Sequence, residues 1–442
     1  MKLIALPSDP LIGISGVPGD KSISHRAALF GALANGESSF ENYLVAGVTQ
    51  TMLQALTSLG VKWALHKRRL TIIGEGLESW QEPAGSIDCR NSGTTMRLLA
   101  GALSATGTAA VLDGSPGLRR RPMDRVITPL QMMEVPISAS TGDKAPLRLK
   151  SRSSFYPLRG IDFILPVASA QVKTAIMLAA LAADSPTTIH EPGASRDHTE
   201  RMLTSMGAKI SIPPNQDQFT VTISPLSQNP LTPLNMNIPG DFSSSSFLIV
   251  AALITPGSEI ILQNVGLNPT RTGLLDVLMA MGADIKITRL DEQFGEPTGD
   301  IEIRHSHLQG IDVNGDLVVR MIDEFPVFAI AAATADGCTI VSDAAELRHK
   351  ESDRISVLCR NLNTLNIQVR EKPDGFSIEG GSGFSGGRIQ AHGDHRMAMA
   401  FSVAGLVAES PVTISGAEMI DESFPGFVKS FNSLGAGIKK VR

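Results

Sequence analysis

The chain has 442 residues, a formal net charge of −5, 42% hydrophobic residues and 5% aromatic residues, enough apolar material for two domains of ordinary size. An acidic balance, few aromatics and no Lys/Arg run longer than Arg119-Arg120-Arg121 exclude the basic stripe of a nucleic-acid binder. Cys89, Cys338 and Cys359 stand far apart without CxxC spacing, which argues against a disulfide framework or zinc knuckle and for a reducing compartment.

At the N-terminus, one lysine, a very short apolar run and then Pro7 and Pro10 lack the organisation of a secretion signal, so a cytoplasmic protein is expected. Six copies of one unit follow, beginning near Lys21, Asn91, Ser169, Asp241, Glu324 and His395. Each has a polar start, a helix of small apolar residues, a Gly or Ser-Pro break and a β-rich strand; the strands are predicted over 38–42, 108–113, 187–191, 259–264, 339–343 and 412–415. In most copies a second amphipathic helix leads through a small turn to another strand, and Gly60, Gly207, Gly282 and Gly435 suit its left-handed C-terminal cap. A repeat of about seventy to eighty residues is too long for a thin solenoid and fits a βαβαββ module. The first helices are apolar nearly all round and are expected to be buried. The longest apolar runs, such as 175–183 and 247–255, fall short of the roughly 20 residues that span a bilayer.

Pro239-Gly240-Asp241 echoes Pro18-Gly19-Asp20, each ahead of a Ser-rich helix start. The chain therefore reads as a duplicated α/β protein. Residues 20–238 form one lobe of three units, residues 1–19 with 239–442 the other, and two glycine-bearing strands form a hinge between them.

Charge placement adds function to this architecture. A helix N-terminus carries partial positive charge and unpaired N–H groups, so Lys21 and Arg26 are unfavourable there unless an anion lies between them. The pattern recurs. Arg119 to Arg121 precede Pro122, which suits a first helical position; Lys350 and Arg354 flank an acidic pair; His395-Arg396 opens the apolar run 397–406. Such focusing predicts a pocket for small, multiply charged anions. Ser22 and Arg26, four apart, share a helix face suited to a phosphate. Glu351, Ile355, Leu358 and Leu362 fall at i, i+4, i+7 and i+11, which puts Glu351 at the end of an apolar stripe, partly desolvated as a general acid requires.

Eight blocks then occur in order: Pro18–Arg26, Asn91–Arg97, Arg121–Met123, Ser169–Lys173, Ser195–Glu200, Ile322–Pro326, Lys350–Arg354 and Asp394–Met399. With these motifs the chain resembles, over its full length, the 5-enolpyruvylshikimate-3-phosphate synthase family, enolpyruvyl transferases of the shikimate pathway for aromatic amino acids. The resemblance implies a two-lobed inside-out α/β barrel, each lobe of three βαβαββ units, that closes on shikimate 3-phosphate and phosphoenolpyruvate as a monomer without metal or organic cofactor. It puts shikimate 3-phosphate on Lys21, Ser22, Arg26, Ser169, Ala170 through its backbone, Gln171, Arg196, Asp323 and Lys350. Phosphoenolpyruvate falls to Lys21, Gly93, Thr94, Arg121, Gln171, Arg354 and Arg396, where arginine forks suit a donor bearing both phosphate and carboxylate. Asp323 is implied as the base for the 5-hydroxyl and Glu351, with Lys21, as the acid for the methyl proton, His395 polarising the same site. Gly93 leaves room beside the donor and implies sensitivity to glyphosate; Glu422 stands where some relatives place a donor-binding lysine, and is expected to face solvent or neutralise an arginine.

Plainer readings coexist with these. Taken singly, Ser22 is a helix cap, Asp323 a turn or N-cap aspartate, and Glu351 an ion-pair partner of Arg354 at i+3. His305 and His307 read as solvated histidines on one strand face. The sister transferase acting on UDP-N-acetylglucosamine presents a reactive cysteine where this chain has Leu118 to Pro122, and a non-catalytic anion-binding clamp would not need Asp323 and Glu351 beside the cations.

Overall fold

Small apolar residues let the first helix of each copy bury most of its circumference. In Lys21–Leu33 every residue from Ile23 onward is buried, and in Phe242–Ile254 every residue is. The computed structural model describes residues 1–153, 156–213, 219–226 and 229–441. Its contacts divide the chain into two units: Gly19–Ile238 with Gln293–Glu296, hereafter the Gly19 unit, and Met1–Pro18 with Pro239–Glu292 and Pro297–Arg442, the Pro239 unit. Each has its own hydrophobic core.

Among the described residues the strands form six four-stranded sheets, three in each unit. In Ile87–Asp88, Ala110–Asp113, Lys144–Leu149 and Ile137–Ser140, taken in spatial order, the first pair is parallel and the next two are antiparallel. The sheet that starts at Asp162–Ile164 and the one that starts at Asp312–Val313 repeat this pattern. It is the pattern of a βαβαββ module. The two copies at the duplicated Pro-Gly-Asp points differ, because their first strands are exchanged. Ile12–Gly16 runs parallel to Glu259–Gly266 in the Pro239 unit, while Asn235–Asn237 runs parallel to Asn35–Glu41 in the Gly19 unit. Lys2–Leu6 pairs antiparallel with both Val412–Ser415 and Gly437–Val441, which brings the first and last strands into one sheet.

Gly60, Gly207, Gly282 and Gly435 have φ of +83, +93, +94 and +107°, the left-handed cap expected after the second helices; Glu134 and Asn366 take positive φ at the corresponding turns of the second and fifth copies. Within the Gly19 unit the helices Gly93–Thr106 and Ala170–Ala180 meet so closely that a Cβ on Gly101 would lie 2.4 Å from the Ala175 carbonyl oxygen. No helix among the described residues is long and apolar enough to cross a membrane.

Three local expectations are corrected. Pro122 does not open a helix: it follows the four-residue helix Pro116–Arg119, and the next helix is Asp124–Met132. The helix expected to carry Glu351 on its apolar stripe begins at Arg354, with Asp353 as its cap, so Glu351 lies before the helix and off the stripe. His305 and His307 lie beyond the strand Glu296–Arg304, their rings edge-on at 5.3 Å.

Candidate active site

In the Gly19 unit the starts of three buried helices hold the candidate residues. Asp20 caps Lys21–Leu33 by accepting the Ile23 N–H at 2.8 Å, which leaves Lys21 and Ser22 as the first two helical residues. Ser92 caps Gly93–Thr106 in the same way through the Thr95 N–H, so Gly93 and Thr94 open that helix. Ser169 is the N-cap of Ala170–Ala180. Each start offers backbone N–H groups suited to anions. Side chains link them: Gln171 donates to Thr94 Oγ1 at 2.8 Å and accepts from Arg97 Nη1 at 2.6 Å. A Cβ on Gly93 would lie 3.0 Å from Arg97 Nη1 and 3.4 Å from Arg121 Nη1, so Arg121 stands in this group. Its neighbour Arg119 instead pairs with Asp113.

Ser22 and Arg26 have different surroundings. The Ser22 hydroxyl accepts from Arg196 Nη1 at 3.5 Å. Arg26 is 2% exposed and donates to Thr199 Oγ1 and Thr174 Oγ1, both at 2.7 Å, and to the carbonyl oxygens of Ser22 and Ala170 at 3.1 and 3.5 Å. Burial lowers its pKa to about 10, partly opposed by Glu200, so it stays charged at neutral pH. Its guanidinium ties the helix starts together. Lys173, equally buried, lies 2.6 Å from both Glu191 and Glu200 and 3.4 Å from the Ser195 carbonyl oxygen, next to Arg196. Burial alone would favour the neutral amine, but Glu200 and Glu191 outweigh it and raise the lysine pKa.

In the Pro239 unit Arg354 is the centre. Its side chain is 2% exposed; Nε donates to Asp394 at 2.8 Å, Nη2 to Glu351 at 2.8 Å and Nη1 to Asp323 at 3.5 Å. Burial opposes the charge, yet Asp394, Glu351 and Asp323 together raise the pKa well above the ordinary arginine range. Asp394, wholly buried, caps His395–Ala404 through the Arg396 N–H at 2.9 Å; burial would raise its pKa, but the Arg354 guanidinium reverses this and holds it below the usual carboxylate value. Asp323 lies between two arginines, with Arg396 Nη2 3.5 Å from its other carboxylate oxygen. Arg396 Nη1 donates to the Asp323 carbonyl at 3.0 Å and to Ser243 Oγ at 2.6 Å. His395 is buried at the first position of its helix, while Lys350, half-buried, follows the turn Ala345–His349. Glu422 is half-buried in the turn Ile420–Glu422.

Lys21, Ser22, Gly93, Thr94, Arg121, Ser169, Ala170, Gln171 and Arg196 thus fall in one unit, and Asp323, Lys350, Glu351, Arg354, His395 and Arg396 in the other. The sequence reading missed Arg97, Lys173, Ser243, Glu324 and Asp394. Arg97 had a local signal, its place one helical turn after Gly93. Asp394 had another, an aspartate directly before a helix start.

The family model described as EPSP synthase (3-phosphoshikimate 1-carboxyvinyltransferase) matches residues 7–431. A 3-phosphoshikimate 1-carboxyvinyltransferase of Desulforudis audaxviator is 46% identical over 436 residues, 98% of this chain and 99% of that protein. One from Citrifermentans bemidjiense is 44% identical over 423 residues, 96% of each chain. Among solved structures, an EPSP synthase from Acinetobacter baumannii superposes with a TM-score of 0.89 at 40% identity, covering 100% of both chains.

Proposed function

The chain belongs to the EPSP synthase family, and on that premise we propose how its two residue sets divide the work of the family's reaction. It is an enzyme that transfers the enolpyruvyl group of phosphoenolpyruvate to the 5-hydroxyl of shikimate 3-phosphate and releases phosphate, a step in aromatic amino acid biosynthesis. The observation that carries the division is Arg354, a buried cation met by three carboxylates, set against a second unit whose helix starts gather hydroxyls, an amide and cations.

In this reading shikimate 3-phosphate is held by Lys21, Ser22, Ser169, the Ala170 backbone, Gln171 and Arg196, with Asp323 and Lys350 at the ring; Arg26 keeps the cradle in shape. Phosphoenolpyruvate is held by Lys21, Gly93, Thr94, Arg121, Gln171, Arg354 and Arg396. The acceptor 5-hydroxyl loses its proton to Asp323 as its oxygen bonds to C2 of the donor, while C3 gains a proton from Glu351, assisted by Lys21 and polarised by His395. The tetrahedral adduct then returns a proton from C3, re-forms the double bond and expels phosphate. Glu351 already occupies one arm of the Arg354 fork at 2.8 Å, so the donor carboxylate must share or take that arm. Arg354→Ala is expected to lower kcat/KM for phosphoenolpyruvate by at least about tenfold, the loss of a charge-assisted contact.

The test is phosphate release on mixing the chain with shikimate 3-phosphate and phosphoenolpyruvate, with UDP-N-acetylglucosamine as the control acceptor. Release with the control alone would replace the reading with the sister activity, and no release with either would leave an anion-binding module. The same proposal has the enzyme act as a cytoplasmic monomer; sedimentation at twice the mass of one chain would refute that part.

A further inference from the structure

The duplication puts two serines in equivalent places: Ser22 and Ser243 are each the second residue of a helix capped by an aspartate, Asp20 or Asp241. Each hydroxyl oxygen accepts from an arginine, Arg196 Nη1 at 3.5 Å for Ser22 and Arg396 Nη1 at 2.6 Å for Ser243. At Ser22, in the function proposed above, the arrangement serves the acceptor phosphate. At Ser243 an anion is already built into the protein. The Ser243 hydroxyl donates to Glu324 Oε1, and that carboxylate, on a residue 1% exposed, lies 3.8 Å from Arg396 Nη1.

We propose that Glu324 and Ser243 form a positioning pair that orients Arg396 for the donor, the buried Glu324 carboxylate being the resident counter-anion in the second copy of a duplicated anion cradle. A serine hydroxyl has one proton. With that proton committed to Glu324, the oxygen lone pairs face Arg396, so the carboxylate sets the direction of the whole relay. Nη1 of Arg396 is then fixed between Ser243 Oγ and the Asp323 carbonyl oxygen, at 2.6 and 3.0 Å, with Nη2 3.5 Å from the Asp323 carboxylate. A guanidinium binds a carboxylate or phosphate through a planar fork, and a fork turned out of its plane loses the second bond of the pair. The carboxylate also provides partial compensation for a cation whose side chain is 5% exposed. Glu324 and Ser243 are not assigned contact with substrate. The inference rests on Arg396 being a donor-binding residue.

Steady-state kinetics on the full chain test it. Glu324→Leu removes the acceptor at similar volume and Ser243→Ala removes the relay oxygen; each is expected to raise KM for phosphoenolpyruvate about tenfold, the loss of one well-oriented charge-assisted bond, with kcat and KM for shikimate 3-phosphate within about threefold of wild type. Glu324→Gln, whose amide oxygen still accepts the serine proton, is expected to stay within about threefold of wild type in every parameter. The Ser243→Ala/Glu324→Leu double variant should lose no more than the worse single one, since both break one relay. An unmoved donor KM in Ser243→Ala overturns the proposal, as does a uniform fall in activity that Glu324→Gln shares. If Glu324→Leu fails to fold, Ser243→Ala and Glu324→Gln decide by the same criteria. A wild-type chain that releases no phosphate from the two substrates sinks the proposed function, whereas an active wild type with an unmoved donor KM in Ser243→Ala sinks only the positioning pair.

Discussion

Replacing Lys173 with methionine removes one positive charge and very little volume. Lys173 and its partners Glu191 and Glu200 have side chains 3%, 4% and 5% exposed, with both contacts at 2.6 Å, so in Lys173→Met two buried carboxylates face each other without a cation. Breaking a buried ion pair from one side costs about 3–5 kcal/mol. At about 2–4 °C per kcal/mol for a unit of this size, the transition of the Gly19 unit should fall by about 10 °C near pH 8. The pH dependence has a definite sign. In the wild type Glu200 is raised by burial and pulled back by Lys173; without the lysine, burial acts unopposed, the folded variant binds the proton more tightly than its unfolded chain, and stability is regained as pH falls toward about 5. The wild-type lysine, with its folded pKa raised, contributes fully throughout this window, since its contribution is lost only as pH rises through that raised value. Scanning calorimetry of both proteins at the two pH values measures the deficit, and Lys173→Met/Glu191→Gln/Glu200→Gln should recover most of it by removing the stranded charges. A Lys173→Met transition within about 2 °C of wild type near pH 8, or a deficit that does not shrink in acid, would refute the account.

Glu351→Gln should retain phosphoenolpyruvate binding, since it loosens the competing hold on Arg354, but lose turnover; substantial remaining kcat would reduce Glu351 to an ion-pair partner. His25, buried with Nδ1 2.8 Å from the Lys21 carbonyl oxygen, is lowered from 6.5 to about 4, chiefly by burial. Its unfolded form therefore takes up a proton first as pH falls. The stability it contributes, on the order of 3 kcal/mol, is present above about pH 6.5 and lost between there and about 4; urea midpoints near pH 7 and 5 should converge in His25→Gln, and an unchanged slope would count against this assignment. Gly93→Ala places a methyl 3.0 Å from Arg97 Nη1 and 3.4 Å from Arg121 Nη1, so KM for phosphoenolpyruvate should rise several-fold and glyphosate, assayed in competition with the donor, should inhibit less; unchanged values for both would show that the two arginines give way freely.

Much of the architecture was legible because its causes are local. A helix of Ala, Leu and Met must be buried, a glycine must take the left-handed cap, and an aspartate such as Asp20 or Asp241 marks a helix start wherever it occurs, so the six copies and the duplicated Pro-Gly-Asp points stand out without coordinates. Cations at helix starts were legible for the same reason, as a conflict with the helix dipole that calls for an anion. The expectation for Glu351 failed where this logic was pushed past a boundary: its spacing from Ile355 and Leu358 suits a helical stripe, but the Asp353 cap starts the helix after it, and what it meets is Arg354.

Sequence alone therefore determined which residues carry charge, which helices are buried and which family the chain resembles. Partner choice was left to the tertiary structure. Arg26 has the composition of a phosphate ligand, yet its bonds go to Thr174 and Thr199, 148 and 173 positions away. Arg396 meets Ser243 across 153 positions. The first strands of two copies exchange sheets: the duplicated Pro-Gly-Asp points placed residues 1–19 with 239–442 and kept 20–238 together, but not which strand each first strand lies beside. Hydrogen bonds and ion pairs are set by distances of about 3 Å between side chains brought together only when separate helices pack, and a one-dimensional pattern with a period of a few residues carries no information about contacts closed over such long loops.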